Sequence, residues 1–202
     1  MCEIICVTNR ALCGEGFLVR LGRIAAAKPK AVILREKDMQ PEEYRKLAVQ
    51  AQMICSQYGV PCILHSFADI AAELGAEGIH LPLANLRELP AEVKSRFSII
   101  GASVHSPEEA AEAQSLGATY ITAGHVFPTD CKKGLAPRGL DFLKKTCAAV
   151  GIPVYAIGGV CSGNYSLVRS AGAAGACVMS GLMTCEDPAG YLERFRKESD
   201  SE

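Results

Sequence analysis

The sequence predicts an α/β protein, a single (β/α)8 TIM barrel spanning residues 1–202. Three observations carry this expectation. Short apolar runs of β character recur eight times, helix-like segments separate most of them, and one phrase that ends a helix and opens a strand occurs three times. Alternation of strand and helix implies parallel strands, and eight such units imply a closed sheet.

In chain order, residues 3–8 form the first β-like run and residues 15–26 the first helix-like segment. Strand 31–35 follows, then a helix over 41–58 opened by Pro41, where a missing N–H costs a helix nothing. Strand 61–64 leads to helix 66–74, opened by Ser66, and then to strand 78–81. The link over 82–96 reads as short and irregular. Strand 98–102 is followed by Ser106 and Pro107 at the start of helix 107–116, and Ser106 with Glu109 has the spacing of a capping box. Strand 119–123 opens a long loop, and helix 140–149 and strand 153–157 come after it. Helix 162–170, strand 175–178 and helix 187–197 complete the pattern. The repeated phrase is Leu74-Gly75-Ala76, Leu116-Gly117-Ala118 and Ala171-Gly172-Ala173, each with a glycine where a helix can end in a left-handed residue.

With 49% apolar and 21% charged residues, the chain can bury a sizeable core. Its 21 basic residues against 22 acidic ones leave a formal charge of −1, which argues against a dedicated nucleic-acid binder or a binder of anionic membranes. Anion recognition must then be local. The ten cysteines include no C-x-x-C pair and no cluster with zinc-ligand spacing, and several sit in apolar runs where a reduced thiol acts as a small hydrophobe. That usage, with no leader-like N-terminus and no apolar run long enough to span a bilayer, predicts a soluble cytoplasmic protein.

In a barrel the chemistry sits at the C-terminal ends of the strands. Gly158 and Gly159 after the seventh run, and Ser180 and Gly181 after the eighth, lie where barrels cradle a phosphate with backbone amides. The loop 124–139 (GHVFPTDCKKGLAPRG) carries His125, whose imidazole suits either proton transfer or simple hydrogen bonding. It also carries Lys132, Lys133 and Arg138, which read either as an anion-closing lid or as an ordinary basic loop. Arg35 and Lys37, with Glu36 between them, form either an anion clamp or a solvated cluster. Ser103 and His105 read as substrate contacts or helix-start residues, and His65 and His80 as mouth-lining or packed histidines. Only Glu36 and Asp38 are carboxylates near the mouth, so no metal site is expected.

Six segments, LREKD (34–38), EGIHLP (77–82), IIGASVHSPEEA (99–110), AGHVFPTDCKKG (123–134), IPVYAIGGV (152–160) and VMSG (178–181), together resemble the thiamin phosphate synthase superfamily over nearly the whole chain. Within it, the chain looks most similar to the thiazole tautomerase (TenI-type) branch. The synthases of this superfamily carry acidic segments after strands three and four that hold magnesium and a pyrimidine pyrophosphate, and here those places read LHSF (64–67) and HLPLAN (80–85). The resemblance implies cofactor-independent aromatisation of a thiazole carboxylate phosphate, with His125 as catalytic acid/base. Gly158, Gly159, Ser180 and Gly181 would hold the phosphate; Arg35, Lys37, Lys132, Ser103 and His105 would contact the substrate. It also implies a homodimer and a small phosphorylated thiazole as ligand. Two alternatives stand beside it: a thiamin phosphate synthase (thiamine-phosphate diphosphorylase), which would use magnesium, and a non-catalytic barrel that binds thiazole phosphate as a regulator. A sugar-phosphate isomerase on the same fold is disfavoured by the six segments.

Overall fold

A computed structural model describes residues 3–132 and 134–199. Eight parallel strands, β1 (Ile4–Val7), β2 (Ala31–Leu34), β3 (Cys62–His65), β4 (Gly78–Pro82), β5 (Ile99–Val104), β6 (Tyr120–Gly124), β7 (Val154–Ile157) and β8 (Gly175–Val178), pair in sequence order. The sheet closes on itself where Ile5 of β1 stands beside both Ala31 of β2 and Cys177 of β8. The barrel predicted from periodicity is the fold observed.

The strands read as near-continuous apolar runs because both of their faces are covered. Outward residues such as Ile4, Cys6, Val32, Leu34 and Ile79 join the large core between sheet and helices. Inward residues, among them Ile5, Val7, Ile33, Ile63, Tyr120 and Tyr155, fill the lumen. Tyr120 fits there because the position facing it is a glycine. The Gly101 backbone lies so close to the Tyr120 ring and His80 Nδ1 that a Cβ at that position would overlap both.

Helices α1 (Phe17–Ala26), α2 (Pro41–Gln57) and α3 (Ala68–Glu73) cover the first strands, followed by α4 (Leu83–Glu88) and α5 (Ala91–Lys94). The outer layer continues with α6 (Pro107–Ser115), α7 (Gly139–Ala148), α8 (Ser162–Ser170), α9 (Ser180–Thr184) and α10 (Pro188–Ser199). Gly75, Gly117 and Gly172 follow helix ends with φ of +61°, +92° and +93°, the left-handed stop that the repeated phrase predicts. Ser106 caps α6 by accepting the Glu109 N–H at 3.1 Å, while the Glu109 carboxylate accepts the His105 N–H at 2.6 Å, one residue earlier than a standard capping box.

Three local expectations are corrected. The link 82–96 is not irregular: it folds into α4 and α5, each too short to show a helical period, with Leu83 and Leu86 buried against the sheet. The short helix α9 directly after β8 has the same cause. Strands β3, β4 and β5 run past their predicted ends to His65, Pro82 and Val104, so that His65 and Ser103 are ladder residues and not loop residues, as His80 was already expected to be. The eight cysteines described are free thiols, and burial pushes those of Cys6 and Cys177 far above their ordinary range. Among the described residues no helix is long and apolar enough to cross a membrane.

Adding one methyl at Gly101 overfills the lumen. Gly101→Ala is expected to cost about 1–3 kcal/mol in urea unfolding; an unchanged midpoint would show that the lumen has slack.

Candidate active site

At the C-terminal end of the strands the barrel opens into a cavity of about 1010 Å³. All ten predicted site residues line it: Arg35, Lys37, Ser103, His105, His125, Lys132, Gly158, Gly159, Ser180 and Gly181. So do all four histidines of the chain. Lys133 lies outside the described residues.

Arg35 and Glu36 leave β2 still alternating, and a turn at Lys37 and Asp38, closed by the Met39 N–H on the Glu36 carbonyl, follows them, so that the charges are sorted to different sides. Arg35 and Lys37 face the cavity, whereas Glu36, only 3% exposed, turns into the β1 exit. There its carboxylate accepts the Thr8 hydroxyl at 2.7 Å, the Arg10 backbone N–H at 3.0 and 3.1 Å, and the Arg10 guanidinium at 3.3 Å. Thr8 Oγ1 in turn accepts the Arg35 N–H at 2.9 Å, which ties the backbone of Arg35 to the same knot. Asp38 is engaged by Arg10 through two bonds of 2.7 and 2.8 Å. The Lys37 ammonium titrates below its ordinary range, first through partial burial, then through the neighbouring charges of Arg35 and Lys132. Lys132 reaches this neighbourhood from a 3-10 turn, Asp130–Lys132, in the loop after β6. No ion pair engages Arg35, Lys37 or Lys132 among the described residues.

The floor of the cavity is polar but uncharged. His80 sets its Nδ1 3.0 Å from the Tyr120 hydroxyl and its Nε2 2.9 Å from Ser103 Oγ, and Thr122 Oγ1 lies 3.3 Å from the same serine. His65 stacks on His80 with ring centroids 5.7 Å apart and sets its Nδ1 2.7 Å from Ser66 Oγ. Burial depresses both imidazoles to a pKa of about 3, with further lowering of His65 by His80, Arg35 and Lys37 and of His80 by Arg35. Both rings are therefore neutral near pH 7 and offer only hydrogen bonds.

The corner between β7 and β8 has the form of an anion cradle. Gly158 and Gly159 adopt φ of +94° and +69°, and a side chain at either would overlap His125 or the Phe127–Pro128 backbone. The carbonyls of Ile157, Gly158 and Gly159 are taken by the Val126 and Phe127 N–H groups and by Asn164 Nδ2, so peptide N–H groups are what this turn can offer to a ligand. Ser180 and Gly181 open α9, where first-turn N–H groups have no partner within the helix. Tyr191 of α10 packs its ring against Gly181 and also lines the cavity. Nothing in the sequence pointed to Tyr191, because it comes from a helix and not from a strand exit.

His125 is half-buried beside this corner, with Nε2 3.3 Å from the Leu135 carbonyl. His105 stands at the rim, 48% exposed in its side chain, with Nδ1 3.4 Å from Glu109. Magnesium takes oxygen ligands in an octahedron, and proteins hold it through carboxylates. The β3 and β4 exits supply two neutral imidazoles instead, the β2 carboxylates are engaged by Arg10, and among the described residues no group of three or more His, Cys, Asp or Glu converges. This donor set does not fit a protein-held magnesium.

A family model described as thiamine monophosphate synthase (TMP-TENI) matches residues 4–182. The chain belongs to the thiamine monophosphate synthase family. A thiamine-phosphate synthase of Desulfitobacterium hafniense (strain DSM 10664 / DCB-2) is 36% identical over 189 residues, 90% of this chain and 89% of that protein. One from Caldivirga maquilingensis is 37% identical over 194 residues, 95% of this chain and 90% of the other. Among solved structures, a thiamine phosphate pyrophosphorylase from Pyrococcus furiosus superposes with a TM-score of 0.84 at 29% identity, covering 99% of this chain and 96% of that one.

These relatives overturn the expectation of a thiazole tautomerase. Family members matched at 34–37% identity over most of the chain are named as synthases, and no particular closeness to the TenI-type branch appears. The assignment of His125 as acid/base of a carbon-to-carbon proton shift falls with that reading. The misreading came from the β3 and β4 exits: a missing set of acidic residues reports how a site handles charge, not which bond it makes.

The two buried imidazoles make stability depend on pH. The unfolded chain protonates them near 6.5 and the folded chain only near 3, so unfolding takes up protons between those values. Their contribution is complete above about pH 6.5 and declines as the pH falls toward 3, by up to about 1.4 kcal/mol per pH unit for each. His80→Gln is expected to show a shallower decline than the parent in urea unfolding between pH 7 and 4.5; identical slopes would remove His80 as a cause.

Proposed function

We propose that this chain is a transferase that makes thiamin phosphate, joining a phosphorylated thiazole to a pyrimidine carried as its diphosphate. The observation that carries this reading is the presence of two anion subsites of different character in one cavity. The turn at Gly158 and Gly159 with the start of α9 offers neutral N–H groups, and Arg35, Lys37 and Lys132 offer full charges. Family membership and the names of the relatives support it.

The chemistry follows from that division. In the transfer, the bond between the pyrimidine methylene carbon and the diphosphate oxygen breaks, the thiazole nitrogen forms a bond to that carbon, and diphosphate leaves with the electron pair. Negative charge grows on the leaving oxygen, and fixed cations placed there lower the barrier because they need not reorganise as the charge develops. The cradle at β7 and β8 would hold the thiazole phosphate and so fix the nitrogen in line with the methylene carbon. The floor of His80, Ser103 and Thr122 offers hydrogen bonds without charge, which suits a neutral heterocycle. No proton moves between carbons, so the reaction asks for no base at His125.

Purified protein supplied with the pyrimidine diphosphate and the thiazole phosphate is expected to form thiamin phosphate and diphosphate in equal amounts. Lys37→Ala and Arg35→Ala should each lower kcat by about 10²-fold or more, whereas His125→Ala, which keeps the Cβ packed on Gly158, should stay within about tenfold of the parent. Absence of thiamin phosphate from the parent protein under every condition, with or without magnesium, would sink the reading.

A further inference from the structure

We infer that this chain grips a diphosphate through the side-chain cations Arg35, Lys37 and Lys132 alone, with no divalent metal ion held by protein ligands. The inference rests on the proposed transfer only for the identity of the diphosphate as a substrate group; the cation subsite itself stands on geometry.

Three cations line the cavity, Arg35 and Lys37 from the β2 exit and Lys132 from the loop after β6, near enough for Arg35 and Lys132 to act on Lys37, and no carboxylate is paired with any of them among the described residues. Like charges gathered in a partly enclosed space repel one another and lose hydration, so the arrangement is favourable when an anion completes it. Lys37 is held below its ordinary range first by partial burial and then by the charges of Arg35 and Lys132, so both loss of hydration and mutual repulsion act on it there. The acidic residues of the same segment are withdrawn from the wall. Glu36 is turned through the pleat into the Thr8 and Arg10 knot, and Asp38 is held by the Arg10 fork. Asp130, on the turn that carries Lys132, also lines the cavity and already has a partner.

The β3 and β4 exits close the other route to a metal. His80 has both ring nitrogens engaged, by Tyr120 and Ser103, and His65 shares its Nδ1 with Ser66. Imidazoles so placed are poor ligands for a hard cation such as magnesium, which prefers carboxylate, carbonyl and water oxygens. The combined charge of the three side chains is comparable to that of a free diphosphate near neutral pH, so the anion can be balanced without an ion between it and the protein. Magnesium in solution would then mask the diphosphate oxygens that the cations seek, and should weaken binding.

Calorimetric titration with inorganic pyrophosphate tests this directly, first in a chelating buffer and then with excess magnesium, on the parent protein and on Lys37→Ala, Arg35→Ala and Lys37→Arg. Binding in chelator is expected, with no gain of affinity from magnesium, at least a tenfold loss in each alanine variant and substantial recovery in Lys37→Arg. Thermal melts of each variant report whether it is folded. Binding that requires magnesium, or that a folded Lys37→Ala and Arg35→Ala retain in full, would overturn the inference. A parallel turnover assay separates it from the proposed function: thiamin phosphate formation with strictly magnesium-dependent pyrophosphate binding rejects the metal-free grip and keeps the transferase. Pyrophosphate held in chelator with no transfer under any condition does the reverse.

Discussion

The hydrogen-bonded closure of β8 onto β1 is the constraint on which the rest of this molecule depends. An open sheet of eight strands would leave two edges and let each strand end drift, whereas a closed one fixes all eight exits around a single mouth. Once the ring is shut, the two-residue period of each strand decides which side chains meet. Ile5, Ile33, Ile63 and Tyr155 are committed to the lumen, and His65, His80, Ser103 and Thr122 in the next inward layer become the floor of the cavity. The cavity is a by-product of packing: the lumen fills from below with bulky rings, and polar residues take over where the filling stops.

The same period explains how opposite charges can be neighbours in sequence and strangers in space. Arg35, Glu36 and Lys37 would neutralise one another on a flexible loop. Held by the β2 exit and the turn that follows it, they separate into a cationic face and a buried carboxylate, and Thr8 with Arg10 satisfies the latter so completely that its burial is tolerable. The burial of Glu36 is thus the means by which two cations stay unquenched at the mouth. Sequence reading took these three residues as one cluster because it had no way to see the pleat divide them.

How much was legible beforehand depended on whether a feature was local. The barrel could be read because each strand is a run of β-branched and apolar residues, and each of Gly75, Gly117 and Gly172 marks a helix end by its own conformational need. The glycine turn after β7 could be read for the same reason, since Gly158 and Gly159 both adopt positive φ. Tyr191 could not, because its place against Gly181 arises only when α10 docks. Nor could the neutrality of His65 and His80, which follows from burial by residues far away in the chain. The functional branch was misjudged because it was inferred from residues that were missing, and a missing ligand set has more than one physical explanation.

The long loop after β6 has a stem and a tip of quite different standing. Its first residues are stitched to the neighbouring turn by the Val126 and Phe127 N–H groups on the Ile157 and Gly158 carbonyls, and its last by the Arg138 and Gly139 N–H groups on the His125 and Val126 carbonyls. The stem is therefore shared architecture with the glycine turn, and a change of length there would deform the cradle. Among the described residues, the tip around the exposed Leu135 is tied back by the Leu135 carbonyl near His125 Nε2 and not by the glycine turn. Divergence among related chains should accumulate around Leu135, past the turn that carries Lys132, while the four residues that anchor the stem drift together with Gly158 and Gly159 or not at all.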